Sequence, residues 1–441
     1  MTLRKLSFLF LLGALCMFKG SAQTTDFKNP ALKYYLNPEK TRFIQFSGYM
    51  EFWARYTELN PGSKINDDRQ NSSYDFSIRR IRAKMTMRPT ENLTVVLQMG
   101  PSSVNVNSKS NTYMDLLDAY AEYKFNNYIS VGGGRSTWTG LSRFSTGPMA
   151  TLLYDMPAFA TANAGSTDVT VRKLGVYVKG QVGRLDYRVA VSDPYTDASS
   201  APKLNQAVFN TDAAHQLVSG YFKWQFMDKE SNETPFSAGT YLGKKSVFNI
   251  GVGAEFMDDA LWHTNSAGQN VHDNMVNLAV DAFYDVPINK DRGTSFSAYA
   301  IAMRNDYGPN YVKVTGTSNP ATGVDAASGT FSGAGNAYPL MGTGDTYYAQ
   351  LGGTLPYFNK DKNTMQLLPA ASVQYSKFDA LADAMVVYDA GVSLLFNGHS
   401  SKLTFDAQRR PVFGGTEGAN LEPSVSGHKM MYLLKYRIDF N

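Results

Sequence analysis

Arg80, Arg82 and Lys84 occupy alternate positions in the stretch Tyr74–Gly100, with Ile81, Ala83, Met85 and Met87 on the other parity. A β-strand sends successive side chains to opposite faces, so this spacing makes one face basic and one apolar. Neighbouring cations then stand about 7 Å apart, inside the roughly 8 Å screening length of physiological salt, and their fields merge into one positive track. What such a track offers is attraction of anions along a surface. Like charges this close repel, so the basic face needs water, anions or acidic partners beside it.

The elements that would hold this track repeat along the chain. Arg88-Pro89-Thr90-Glu91-Asn92 is a turn, because Pro89 presets φ and has no donor for a ladder, and Leu93–Met99 then returns as a second strand. Runs of about ten residues with alternating hydrophobicity, closed by Gly, Asn, Asp or Pro, give sixteen candidate strands, with fourteen and eighteen as the alternative counts. They fall near 43–58, 74–87, 93–100, 113–125, 128–136, 170–180, 183–192 and 217–228. The second half holds 246–257, 275–286, 294–305, 344–356, 364–377, 385–396, 401–411 and 429–440. Short connections alternate with long ones, 59–73, 101–112, 137–169, 193–216, 258–274, 306–343 and 412–428; among the short set only 229–245 is extended.

Parity decides what each face meets. Val218, Phe222, Trp224 and Phe226 oppose Ser219, Tyr221, Lys223 and Gln225, and Met430 to Phe440 alternates with Lys435, Arg437 and Asp439. A basic residue facing lipid at the midplane costs about 2–4 kcal/mol, so charge confined to one parity fits a wall with lipid outside and water within. Tyr (27) and Phe (26) are abundant and cluster near strand ends, where barrels place interfacial girdles. The expected fold is all-β, a transmembrane antiparallel barrel of sixteen strands with short periplasmic turns and long extracellular loops. A secreted soluble β-protein is the alternative. On this reading Lys124, Arg188, Lys223, Arg410, Lys435 and Arg437 join Arg80, Arg82 and Lys84 on the lumen face.

Residues 1–22 read as a cleaved signal peptide: Arg4 and Lys5, then a mostly apolar Leu6–Phe18, then Gly20-Ser21-Ala22 before Gln23. Residues 23–42 become a periplasmic N-terminal segment and 43–441 the barrel. Cleavage removes Arg4, Lys5, Lys19 and Cys16, which is the sole cysteine. The 42 basic and 38 acidic residues of the whole chain then come close to balance, and a disulfide framework is excluded. The location expected is the outer membrane of a Gram-negative bacterium, in contact with its lipid. Phe440 resembles the terminal aromatic read by outer-membrane assembly machinery, with Asn441 following it.

Other chemistry finds little footing. None of the five histidines has zinc-like spacing to another, so no metal, cofactor or catalytic residue is expected, and the chain does not read as an enzyme. Gly132-Gly133-Gly134 lies in a strand with no helix behind it and reads as small residues against which a loop packs. Basic residues lining a lumen do not suggest nucleic acid. The readings left are a water-filled channel for small anionic or neutral solutes and a structural or adhesive barrel plugged by its own loops.

Five stretches in order, SIRRIRAKMTMRPTENLTVVLQ, LLDAYAEYKFNNYISVGGGR, RKLGVYVKGQVGRLDYRVAVSDP, TYLGKKSVFNIGVGAEF and NGHSSKLTFDAQRRP, resemble the phosphate-selective porin O/P family of Bacteroidetes-type porins. The resemblance implies a sixteen-stranded barrel, a homotrimer, passage of anions including phosphate, and one extracellular loop folded inward as a constriction. That role falls to 137–169. This loop departs from the family's basic pattern, since Arg143 is its only cation and Asp155 and Asp168 oppose it.

Overall fold

The computed structural model describes residues 32–105, 114–147, 150–164, 171–195, 199–212, 215–359, 365–415 and 422–440. The proposed signal peptide, Asp168 and Asn441 lie outside these. Sixteen strands make the wall. The first eight are β1 (Phe43–Glu58), β2 (Ser72–Arg88), β3 (Leu93–Met99), β4 (Leu116–Lys124), β5 (Ser130–Ser136), β6 (Lys173–Val182), β7 (Leu185–Ser192) and β8 (Leu217–Gln225). Then come β9 (Val247–Thr264), β10 (Asn270–Asn289), β11 (Thr294–Asp306), β12 (Gly344–Gly352), β13 (Gln366–Phe378), β14 (Met385–Leu395), β15 (Ser401–Phe413) and β16 (Val425–Phe440). Each pairs antiparallel with its neighbours, and β16 closes on β1, Gly48 facing Phe440 and Thr57 facing Met431. Closure satisfies the ladder of every strand, which a wall in lipid requires. Below Gly48 the edge of β1 is taken by Leu32–Tyr35, Leu32 opposite Phe46.

The sixteen predicted strands are all present, and the faces fall as parity dictates. On β8, Val218, Phe222 and Trp224 are exposed outward while Ser219, Tyr221, Lys223 and Gln225 are buried within. On β15, Lys402, Thr404, Asp406, Gln408 and Arg410 are buried and face inward. The seam shows how tight the wall is: a Cβ on Gly48 would run into the ring of Phe440.

Two local departures matter. Glu51 pairs with Arg80 but Phe52 pairs with Ile78, so a bulge in β2 takes up Arg79. A bulge sets two residues against one and reverses parity beyond it. Above it Ser73, Asp75, Ser77 and Arg79 are the buried set; below it Arg80 and Arg82 are, with Lys84 half-buried. The basic face therefore has four members, Arg79 included. Secondly, 258–274 is not a long loop. β9 and β10 extend through it to a turn at Asn265–Gln269, with a register shift between Met257 and Leu261 where Asp258-Asp259 breaks the alternation.

Among the described residues, three segments run inward into the lumen. Two come from the long-loop end, 137–164 with helix α1 (Ala158–Ala164), and 307–343. The third is 226–246, from the short-turn end. In 307–343, Val312–Thr315 pairs with Tyr338–Gly342, and Tyr338, Leu340 and Met341 join an apolar cluster with Phe209, Phe378 and Phe413.

Candidate functional site

The segment after β5 follows the inner wall. Trp138 stacks on Tyr177 of β6 at 5.4 Å, under the ammonium of Lys179. The Gly140 amide donates to Ser219 on β8, and Leu141 packs its backbone on Gly253 of β9, where a Cβ would leave no room. Phe144 meets Phe283 and Tyr299 of β10 and β11. Further on, Leu152 and Leu153 pack with Leu368, Ala370 and Leu395 of β13 and β14, and Tyr154 lies edge-on to Trp53 of β1. The apolar residues of this loop thus find partners around most of the wall.

Gly132 does not serve the loop directly. A Cβ there would strike the ring of Tyr177, so the glycine lets a neighbouring strand's tyrosine lean over to stack on Trp138 and donate to Glu122 at 2.9 Å. Gly134, at φ 123°, faces the backbone of Ala119 and Tyr120.

Arg143 and Asp155, the loop's two charged candidates, are both anchors. The Arg143 amide donates to Asp281 at 2.7 Å, its guanidinium to Glu230 at 2.5 and 2.6 Å, and it lies over the Phe283 ring at 3.6 Å. Asp155 accepts from Arg79 at 2.8 Å and from Arg80 at 2.6 Å. Both are at least nine-tenths buried.

Glu230 belongs to 226–246, whose inward course the sequence does not announce. This strap is held at Asn232 by Lys179, at Pro235 by Arg188, at Tyr241 by Asp285, and at Thr240 by His399 in the β14–β15 turn. These contacts carry it from its own strands nearly across the barrel. Burial alone would raise the Glu230 carboxyl, but Arg143 and Lys223 more than offset this and hold it well below the usual carboxylate range. His399 is pushed well below its ordinary value, first by burial and then by the nearby Lys402 charge.

What remains is a cavity of about 270 Å³ against β16, β1, β2 and β3. Its charged lining is Arg80, Arg82, Lys84, Arg172 and Arg437, set against Glu51 and Asp439. Glu51 receives Arg80 and Arg437 at 3.1 Å each, with Lys435 at 3.7 Å. Arg437 also holds Asp439 at 2.8 Å, and Arg172 reaches Asp118 at 3.2 Å. Arg82 donates to the carbonyls of Ile81 and Pro101 and to the Ser102 hydroxyl. Among the described residues, Lys84 has no salt bridge.

The structure thus brings Arg80, Arg82, Lys84 and Arg437 to one cavity and distributes the other predicted lumen cations elsewhere. Arg188 ties the strap to the Ser142 carbonyl, and Lys223 binds Glu230. Arg410 holds Asn60, Glu58 and Gly335 near the loop end. Lys435 reaches Thr151, while Lys124 is exposed at the turn end. Sequence reading missed Arg79, Arg172 and Glu230. The doubled arginine at 79–80 was the available sign of the bulge; nothing local marks the other two. His215, Asp258 and Asp259 place ligand atoms within 4.8 Å of one another on the loop-end rim, largely in solvent, a grouping that residue spacing does not reveal.

No family model matches this chain, and no curated protein does. Among solved structures it is similar to OprB of Pseudomonas putida at high pH, with TM-score 0.53 and 10% identity over 90% of this chain and 94% of that one. It is also similar to the outer membrane channel DcaP of Acinetobacter baumannii (TM-score 0.51, 13% identity, 90% and 97% covered). A third is OmpF of Salmonella typhi in complex with daunomycin (TM-score 0.50, 12% identity, 92% and 100% covered). At these identities the likeness is one of fold, and it agrees with the sixteen antiparallel strands and the closed wall: this chain has the β-barrel fold of the outer-membrane porins.

Proposed function

We propose that this protein is a porin of a Gram-negative outer membrane, passing small solutes by diffusion with a mild preference for anions, inorganic phosphate among the candidates. The observation that carries the reading is the cavity beside β1–β3, where five basic residues meet two acidic ones. Low-dielectric walls focus such an excess and raise the local anion concentration. The loop 137–164 serves as the constriction, assisted by the strap. An outward apolar face supports contact with lipid, and the sequence resemblance supports assembly as a homotrimer and membership of the phosphate-selective O/P family.

A second reading has its own observation: three segments occupy the lumen, and many inward charges are buried against them. A structural or adhesive barrel plugged by its loops would look this way. Planar bilayers separate the two. Single-channel steps in KCl, with a zero-current potential of anion-selective sign in a salt gradient, are expected of the porin. Correctly assembled protein without steps would overturn it.

A further inference from the structure

The cavity's two walls differ in chemistry. The barrel side carries the cations, with Gln98 and Tyr49 among them. The side built by the loop and the strap presents Met156 and Phe236 with the hydroxyls of Thr146, Thr151 and Thr234, and no charged residue; Val171 and Arg172 line the cavity between the two sides, just before β6. Phe236 and Met156 are both only partly buried, so apolar surface remains open to the cavity. An inorganic oxyanion, hydrated all round, matches only the cationic side. It would have to give up water towards Phe236 and Met156 for nothing in return.

Resting on the porin reading, we propose that this passage takes small organic anions, one carboxylate or sulfonate on an apolar body, in preference to inorganic phosphate. The anionic group is held by Lys84, with the Arg82 guanidinium two positions along β2 adding its positive field from behind its bonds to Pro101 and Ser102, and the apolar body lies on Phe236 and Met156. At about 270 Å³ the cavity lies just below the roughly 300 Å³ floor of sites for drug-sized ligands. One small organic acid fits, and an oligosaccharide does not. The strap is essential to this, since it supplies Phe236; a barrel with a short turn between β8 and β9 would have cations on one side and water on the other.

The test uses the purified full chain in planar bilayers at pH 7.5, with potassium chloride on one side and potassium benzoate, formate or phosphate on the other. Formate carries the same charged group without the apolar body and diffuses faster in water. A benzoate permeability above that of formate and of phosphate is therefore the expected result. Phe236→Ser and, separately, Met156→Gln should lower the benzoate-to-formate ratio by about fivefold. Benzoate at or below formate, phosphate ahead of both, or a ratio that neither variant moves would overturn the inference and leave the porin reading intact. Absence of chloride conductance in assembled protein would remove both.

Discussion

The Arg143 guanidinium and the Glu230 carboxylate face each other as a two-pronged pair, 2.5 and 2.6 Å apart, inside the lumen. One residue arrives in a loop from one end of the barrel and its partner in a connection from the other. Bidentate charge-assisted bonds are among the stronger polar contacts a protein makes, and Lys223, Tyr241 and Asn249 also bind Glu230. The pair therefore fixes the height of loop and strap together. Removing Glu230 leaves a buried guanidinium without its counter-charge, so Glu230→Ala should destabilise the inner assembly by about 3–5 kcal/mol. A lower temperature for loss of heat-modifiability, with noisier channel steps, is the expected readout. An unchanged melting temperature would show that the latch contributes nothing.

Shortening the loop should widen the path. Deletion of 145–164 removes Tyr154, Asp155 and the helix but leaves Arg143 on Glu230, so the strap keeps its place. Single-channel conductance should rise, because one wall of the cavity is gone. An unchanged conductance would move the constriction to 307–343.

Selectivity should follow Lys84 more than Arg80. Arg80 is shared between Glu51 and Asp155, so its charge is largely answered, whereas Lys84 carries no salt bridge among the described residues. Lys84→Glu should move the zero-current potential in a KCl gradient towards cations with conductance nearly kept, and the shift should shrink as salt rises. Arg80→Glu should cost assembly first, since it sets three carboxylates together. Equal potential shifts from the two variants, with equal yields, would contradict this division.

The strap has its own pH dependence. His399 donates from Nε2 to the Thr240 carbonyl as a neutral ring, and its folded pKa lies well below the ordinary 6.5. A depressed histidine contributes stability that is present above the unfolded value and lost as pH falls from there towards the folded one. Glu230 is depressed from 4.5, so its contribution stays whole above that value and is lost only as pH falls below it. Thermal stability should therefore decline between pH 7 and pH 5 more in the native protein than in His399→Gln. Parallel curves would remove His399 from the account.

Closure of the wall rests on Gly48 and Phe440. Phe440→Ala should reduce the amount of heat-modifiable protein in the membrane, and Gly48→Leu should do so as well, because a side chain there collides with the Phe440 ring. Full assembly of both variants would show that the seam tolerates misfit.

Sequence alone determined the wall. A strand's faces repeat every two residues, and in lipid a misplaced charge is costly, so alternation in segments such as Leu217–Gln225 and Val425–Phe440 records both strand and orientation. The alternation from Arg80 through Lys84 gave the basic face for the same reason. Tertiary structure decided what that face meets. The bulge that turns Arg79 inward follows from its register against Glu51 and Phe52, and the pairing of Arg143 with Glu230 joins residues 87 positions apart. The inward path of 226–246 leaves no local trace, because its Pro, Gly, Ser and Thr residues suit a solvent-exposed turn equally well. Periodicity reports which solvent a residue faces; it is silent on which distant segment will replace that solvent, and in this barrel the replacement shapes the passage.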